Sequence, residues 1–251
     1  TVAVLDGAVD VHHEDLEDNI LMSYAKDVVH NCALTSGNDN HATHVAGIIS
    51  AVADNDIGVQ GVSYNANIIP INIKDDDGGI RKESVVRAYN HLLTNIPENI
   101  NLKVINCSFG GPGLTGDLEN YVNAAAARGI ITVCAAGNEN TDAAHYPSDY
   151  ESCISVIAVD QNGNKAGFSN YGRLCDISAP GVSITSTIHN SYGEMSGTSM
   201  AAPFVSGVIA LMYAANPSLT NDQVKHYLYS TAEDVGPSGR DNNSGWGIID
   251  P

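Results

Sequence analysis

Short unbroken runs of β-branched and small apolar residues alternate along this chain with segments of helical period, and that alternation restricts the fold more than any other feature. The runs are Thr1–Leu5, Ile68–Ile73, Lys103–Cys107, Ile130–Ala135 and Ser155–Val159. A strand with one solvated face would show polar residues at every second position. These do not, so both faces of the sheet must be covered. Between them lie "HATHVAGIISAVA" from His41, "RKESVVRAYNHLLTN" from Arg81 and "TGDLENYVNAAAARG", which opens on Thr115 as a cap and stops at Gly129. "FVSGVIALMYAANP" from Phe204 reads as a buried helix, and a last helix from Thr220 opens with the capping box "TNDQ". Strand–helix alternation of this kind predicts an α/β fold: a three-layer domain with a mostly parallel central sheet and helices on both faces. The 251 residues suffice for one such domain, expected over 1–251.

Composition narrows the partners. A net charge of −18 with only 11 Lys and Arg argues against nucleic acid, which needs clustered cations, and favours neutral or basic partners. The apolar run Val205–Ala215 is broken by Ser206 and Gly207 and is shorter than the ~20 residues of a bilayer span, so no membrane span is expected. The five cysteines make no CxxC pair, which weakens metal-thiolate and dithiol readings; Cys107 and Cys134 end apolar runs and read as small buried hydrophobes. The first residue already lies in a strand, and "GWGIIDP" closes the sequence without a further element. Both ends suggest a piece of a longer precursor.

In a parallel sheet the carboxyl ends of the strands form the functional edge. Asp6 ends the first run, His41 opens the first helix, Asn138 follows the fourth run in "CAAGNEN", and Ser199 lies in "MSGTSMAAP" at the entry to the long helix. A serine hydroxyl becomes a useful nucleophile when an imidazole accepts its proton, and the imidazole needs a carboxylate to fix its tautomer. The developing oxyanion needs preorganised donors, here the Asn138 amide and the Ser199 backbone N–H. Each role is filled once, and the order Asp, His, Ser differs from that of the α/β-hydrolases and of chymotrypsin. His44, one turn beyond His41, reads as a packing residue.

Through "VAVLDGAVD", "HATHVAG", "VINCSFGG", "AAGN" and "GTSMAAP" the sequence resembles the subtilisin-like serine proteases, the subtilase family, over nearly its whole length. The resemblance implies a monomeric endopeptidase, extracellular or at the cell surface, made with a propeptide and acting on polypeptides. It also implies substrate-pairing roles for Ser108, Phe109 and Gly110, a pocket wall at Ala135, Ala136 and Gly137, and His145 near the pocket floor, where it would shorten the pocket. Asp75, Asp76 and Asp77 match the other substrate-pairing edge. "ADNDIGVQG" resembles the family's calcium loop, implying Ca2+ held by the carbonyls of Ala53, Ile57 and Val59, the side chain of Asn55 and the carboxylate of Asp15. One position departs: Ala42 stands where the family has glycine, and its methyl could tilt the imidazole or crowd the substrate. A silenced peptide-binding module, or an acyl-enzyme esterase or peptide transferase, shares these residues.

Overall fold

The computed structural model describes residues 1–250. Eight strands form one sheet: β1 (Val2–Asp6), β2 (Lys26–Asp27), β3 (Cys32–Ala33), β4 (Ile68–Asn72), β5 (Val104–Cys107), β6 (Ile131–Ala135), β7 (Cys153–Val159) and β8 (Ile177–Pro180). Their spatial order is β3-β2-β4-β1-β5-β6-β7-β8. Every pair is parallel except β2 with β3. A separate antiparallel hairpin joins β9 (Ile184–Ile188) to β10 (Ser191–Met195). The helices are α1 (Asn40–Ser50), α2 (Lys82–Asn95), α3 (Leu118–Ala127), α4 (Thr198–Ala215) and α5 (Asn221–Thr231).

The unbroken strands are explained by two cores, one on each face. Along β1, Val2 and Val4 join the core shared with α1, α4 and α5, whereas Ala3 and Leu5 join the one shared with α2 and α3. A period of two is present, but both phases are apolar. Burying one such side chain stabilises the fold by ~1.5–3 kcal/mol, and replacing the fully buried Leu5 with alanine should cost ~2–5 kcal/mol.

Three local readings change. Thr115 does not cap α3, whose N-cap is Asp117 in helical conformation with no side-chain cap bond; Gly116 at φ +88° and Asp117 complete the turn instead. The stop at Gly129, φ +74°, is as expected, and Thr220 and Gln223 form the full capping box of α5. The long helix starts at Thr198, six residues before Phe204, and so runs 18 residues at a mean hydropathy of 1.5. That length and composition could cross a bilayer, yet 61% of the helix is buried within the protein, which accounts for its apolarity. The short strands β2 and β3, the last sheet strand and the hairpin carry no strong apolar period and were not expected.

Topology places the site. The chain runs from β1 out to β4 and then crosses to the other side of β1 to lay down β5, so the order of connection reverses at β1. Register aligns Asp6 with Asn72, and Cys107 with Cys134. Asp6, the residues after Cys107 and those after Ala135 therefore share one edge, the crevice where ligands meet such sheets.

Candidate active site

His41 is the second residue of α1, whose N-cap is Asp39. Its Nδ1–H donates to Asp6 Oδ1 at 3.0 Å. Oδ2 lies at 2.9 Å from the same nitrogen but off the N–H direction, and is left without an aligned donor. Asp6 is 1% exposed, and Gly7 N–H donates to its Oδ1 at 2.7 Å. This contact leaves the lone pair of His41 on Nε2. The Asp6 charge holds the His41 pKa above the ordinary 6.5, against the opposing effect of burial.

Ala42 disturbs none of this. Its backbone N–H donates to Asp39 Oδ1 at 2.9 Å, and its methyl is buried in the core shared with α4 rather than in the crevice. His44 is buried, with Nε2–H shared between the carbonyls of Ile184 at 2.9 Å and Gly193 at 3.2 Å, which ties α1 to the hairpin. Burial holds it neutral by lowering its pKa.

Ser199 sits in the first turn of α4 behind its N-cap Gly197. Pro203, four residues on, has no N–H, so the Ser199 carbonyl lacks its helical partner. The Ser108 hydroxyl takes that place, donating to Ser199 O at 2.9 Å, and Ser199 Oγ donates to the Ser108 carbonyl at 3.0 Å. Behind this reciprocal clamp, Asn106 Nδ2 donates to Ser108 Oγ at 2.9 Å and Ser206 Oγ donates to Asn106 Oδ1 at 2.9 Å. Among the described residues no hydrogen bond joins Ser199 Oγ to His41. The Ser199 hydroxyl points its proton at the Ser108 carbonyl and would have to swing to Nε2 for transfer.

Asn138 is oriented from the same helix start. Its Oδ1 accepts from Thr198 N–H at 2.9 Å and Thr198 Oγ1 at 3.1 Å, which leaves Nδ2 as the atom able to donate elsewhere. The preceding Gly137 has φ +105°, and a Cβ there would lie 2.2 Å from Asn170 Nδ2, so no other residue fits without displacement. Asn170 in turn braces the loop, accepting from Glu139 N–H at 2.9 Å and donating to the Ala136 carbonyl at 3.0 Å.

His145 is buried against Gly110 and Gly137, so its ring stands between the two strand ends expected to form the substrate walls. Its Nδ1–H donates to Ser148 Oγ at 3.0 Å, the Ser148 hydroxyl being committed to the His145 carbonyl at 2.7 Å. Burial lowers its pKa. Phe109, beside Ser108 and Gly110, packs against the core on the α2–α3 face instead. Asp75 and Asp77 are engaged by Arg81, and Asp76 meets His30 Nε2 at 3.3 Å.

Asp15 is fully buried, with no ion-pair partner among the described residues. Asn55 Nδ2 donates to its Oδ1 at 2.8 Å, and Val59 meets it through its backbone N–H, which donates to Oδ2 at 3.0 Å. In this loop Asp54, Asp56 and Gly58 take left-handed φ of 58°, 60° and 51°, alternating with Asn55 and Ile57. All five cysteines are free, and Cys107, Cys134, Cys153 and Cys175 are buried.

A buried carboxylate, an imidazole and a serine at a helix start, disposed on the carboxyl edge of a parallel sheet, are the residue types a serine-type hydrolase requires. The comparisons with known proteins make this specific. The family profile described as "Subtilase family" matches residues 1–247. Subtilisin BL of Lederbergia lenta is 37% identical over 249 residues, covering 99% of this chain and 87% of that protein. The thermostable alkaline protease of Halalkalibacterium halodurans is 42% identical over 200 residues, and that match covers 54% of its length. Among solved structures, the S41 psychrophilic protease has a TM-score of 0.90 at 31% identity, covering 99% of this chain and 90% of that one. The chain belongs to the subtilase family, and with it to the serine-type peptidases.

Several residues of this site were not singled out from the sequence. Asn106, Ser206, Thr198, Asn170, Asp39 and Lys74 are polar residues whose partners lie far away in the chain. Pro203 did carry a signal, since a proline four residues after the serine must free its carbonyl.

Proposed function

We propose that the protein is a serine endopeptidase that cleaves peptide bonds through an acyl-enzyme on Ser199. His41 acts as base and then acid, Asp6 holds its tautomer, and Asn138 Nδ2 with the Ser199 backbone N–H stabilises the oxyanion. The observation that carries the reading is the Asp6–His41 hydrogen bond at the same carboxyl edge of the sheet as a serine whose backbone is clamped by Ser108. Substrate would add as a strand along Ser108–Gly110, its side chain before the cut entering between that segment and Ala135–Gly137. His145 between the two walls favours small residues there. The test is stoichiometric labelling by a fluorophosphonate together with cleavage of a peptide library followed by mass spectrometry. Labelling without cleavage of any peptide would refute the endopeptidase reading, and absence of labelling would refute the nucleophile.

The same reading includes a structural calcium ion, an extracellular working place and a monomeric state. A buried Asp15 carboxylate with no cationic partner among the described residues, beside a loop of alternating left-handed residues, supports the ion. Asp15, the Asn55 amide turned to present its oxygen, and the carbonyls of Ala53, Ile57 and Val59 would hold it. Its contribution would be charge neutralisation and loop ordering, away from the chemistry.

A further inference from the structure

Two charged residues outside the Asp–His–Ser set stand at the base. β4 is in register with β1 through Asn72 and Asp6, so Lys74, two residues further, overhangs the carboxyl end of β1. Its ammonium lies 2.6 Å from Asp39 Oδ2 and 3.8 Å from Asp6 Oδ1. Asp39 also caps α1 through its other oxygen, to Ala42 N–H. A second carboxylate comes this near to Asp6 because residue 7 is glycine: a Cβ at Gly7 would lie 2.3 Å from Asp39 Oδ2. Two carboxylates at one imidazole would each favour the imidazolium and so leave less of it in the neutral, proton-accepting form at a given pH. Lys74 sits between them and offsets one charge.

We propose that Lys74, anchored by Asp39, is a positioning residue of the triad that keeps His41 available as a neutral base by balancing the charge of Asp6. The inference rests on the assignment of His41 as base. The direction of each charge is consistent with it: Asp6 and Asp39 raise the His41 pKa, and Lys74 lowers it. Lys74 and His41 in turn help hold the Asp39 carboxyl low, against its burial. The groups that face His41 are few. They are Asp6 from β1, Asp39 from the cap of α1, Lys74 from beyond β4, and neutral His44 one turn along α1. From the hairpin packed on α1 come His189, held by Asp10 at 3.0 Å, and the exposed Glu194.

The proposal makes two substitutions move the same readout in opposite directions. Lys74→Met removes a positive charge, so the acid limb of kcat/KM against pH should rise by about half a unit or more, lowering activity on that limb about threefold. Asp39→Asn keeps an oxygen for Ala42 N–H but removes a negative charge and frees Lys74 toward Asp6, so the limb should move down. Lys74→Arg should restore the wild-type limb. A merely structural role would leave both limbs where they are, or shift both the same way, and either result overturns the proposal. The underlying assignment is read separately: a wild-type profile flat from pH 5 to 8 with fluorophosphonate labelling intact would remove His41 as base and the proposal with it.

Discussion

The two halves of the site are built from different materials. Ser199 and Asn138 are held by neutral hydrogen bonds: Ser206 to Asn106, Asn106 to Ser108, Ser108 to the Ser199 carbonyl, and Thr198 to Asn138. His41 is held by charges: Asp6 beneath it, with Asp39 and Lys74 alongside. The difference follows from what each half must do. In the proposed roles, nucleophile and oxyanion donor need fixed positions at every pH, and buried neutral hydrogen bonds are directional and do not titrate in the working range. In the proposed role of base, His41 must change protonation in each cycle, so its affinity for a proton has to be set, and neighbouring charges, burial and hydrogen bonds set it.

Breaking the neutral half at its reactive atom has the largest expected effect. Ser199→Ala should remove about six orders of magnitude from kcat with an unchanged melting temperature, a magnitude known for subtilisin itself and carried here by family membership. Measurable turnover within tenfold of wild type would refute the role of Ser199. Asn138→Ala should lower kcat roughly 10²- to 10³-fold with KM little changed, because the donor meets the oxyanion rather than the ground-state carbonyl; this magnitude too comes from subtilisin. A change confined to KM would place Asn138 in substrate binding instead.

A cation in the Asp15 loop lies outside both halves and should touch neither. Chelation should lower the melting temperature, with calcium at a hundredfold excess over Kd restoring about 2.7 kcal/mol. Asp15→Ala should abolish the difference while the pH profile keeps its shape. Identical melting curves with chelator and with calcium would exclude the ion.

Two smaller effects sharpen the contrast. Asn106→Ala leaves the buried Ser206 hydroxyl without its acceptor and the Ser108 hydroxyl without its donor. It should cost ~1–3 kcal/mol in thermal unfolding, with lower kcat but an unmoved acid limb. A moved limb would mean that the two halves are electrostatically coupled. In the wild-type protein the sign is fixed by Asp6: the His41 pKa is raised, so the neutral base is lost on acidification at a pH above the ordinary 6.5. A limb below 6.5 in a titration of kcat/KM would contradict that balance.

The candidate reactive residues were readable because each stands beside an unmistakable local signal. Asp6 closes an apolar strand, His41 opens a helix, and Ser199 lies in a run of small residues before one. Their supports were less readable for a physical reason. Ser108 and Ser199 are 91 positions apart, and Asn106 and Ser206 are 100 apart, so nothing local in either segment names the other. Thr115 misled because a threonine ahead of a helix reads the same whether or not its side chain reaches the backbone.

The sequence by itself determined the α/β architecture, because apolar residues on both phases of each strand can be buried only between two layers of helices. It also named the candidate reacting groups, since few residue types can act as nucleophile, base and oxyanion donor. Tertiary structure decided what surrounds them. Register between β1 and β4 set Lys74 over Asp6, the approach of residue 39 to Gly7 brought a second carboxylate to the base, and the crossing of α4 over β5 joined Ser108 to the carbonyl that Pro203 had freed. Those contacts depend on how strands slide and helices cross, and a residue's neighbours in the chain do not fix either.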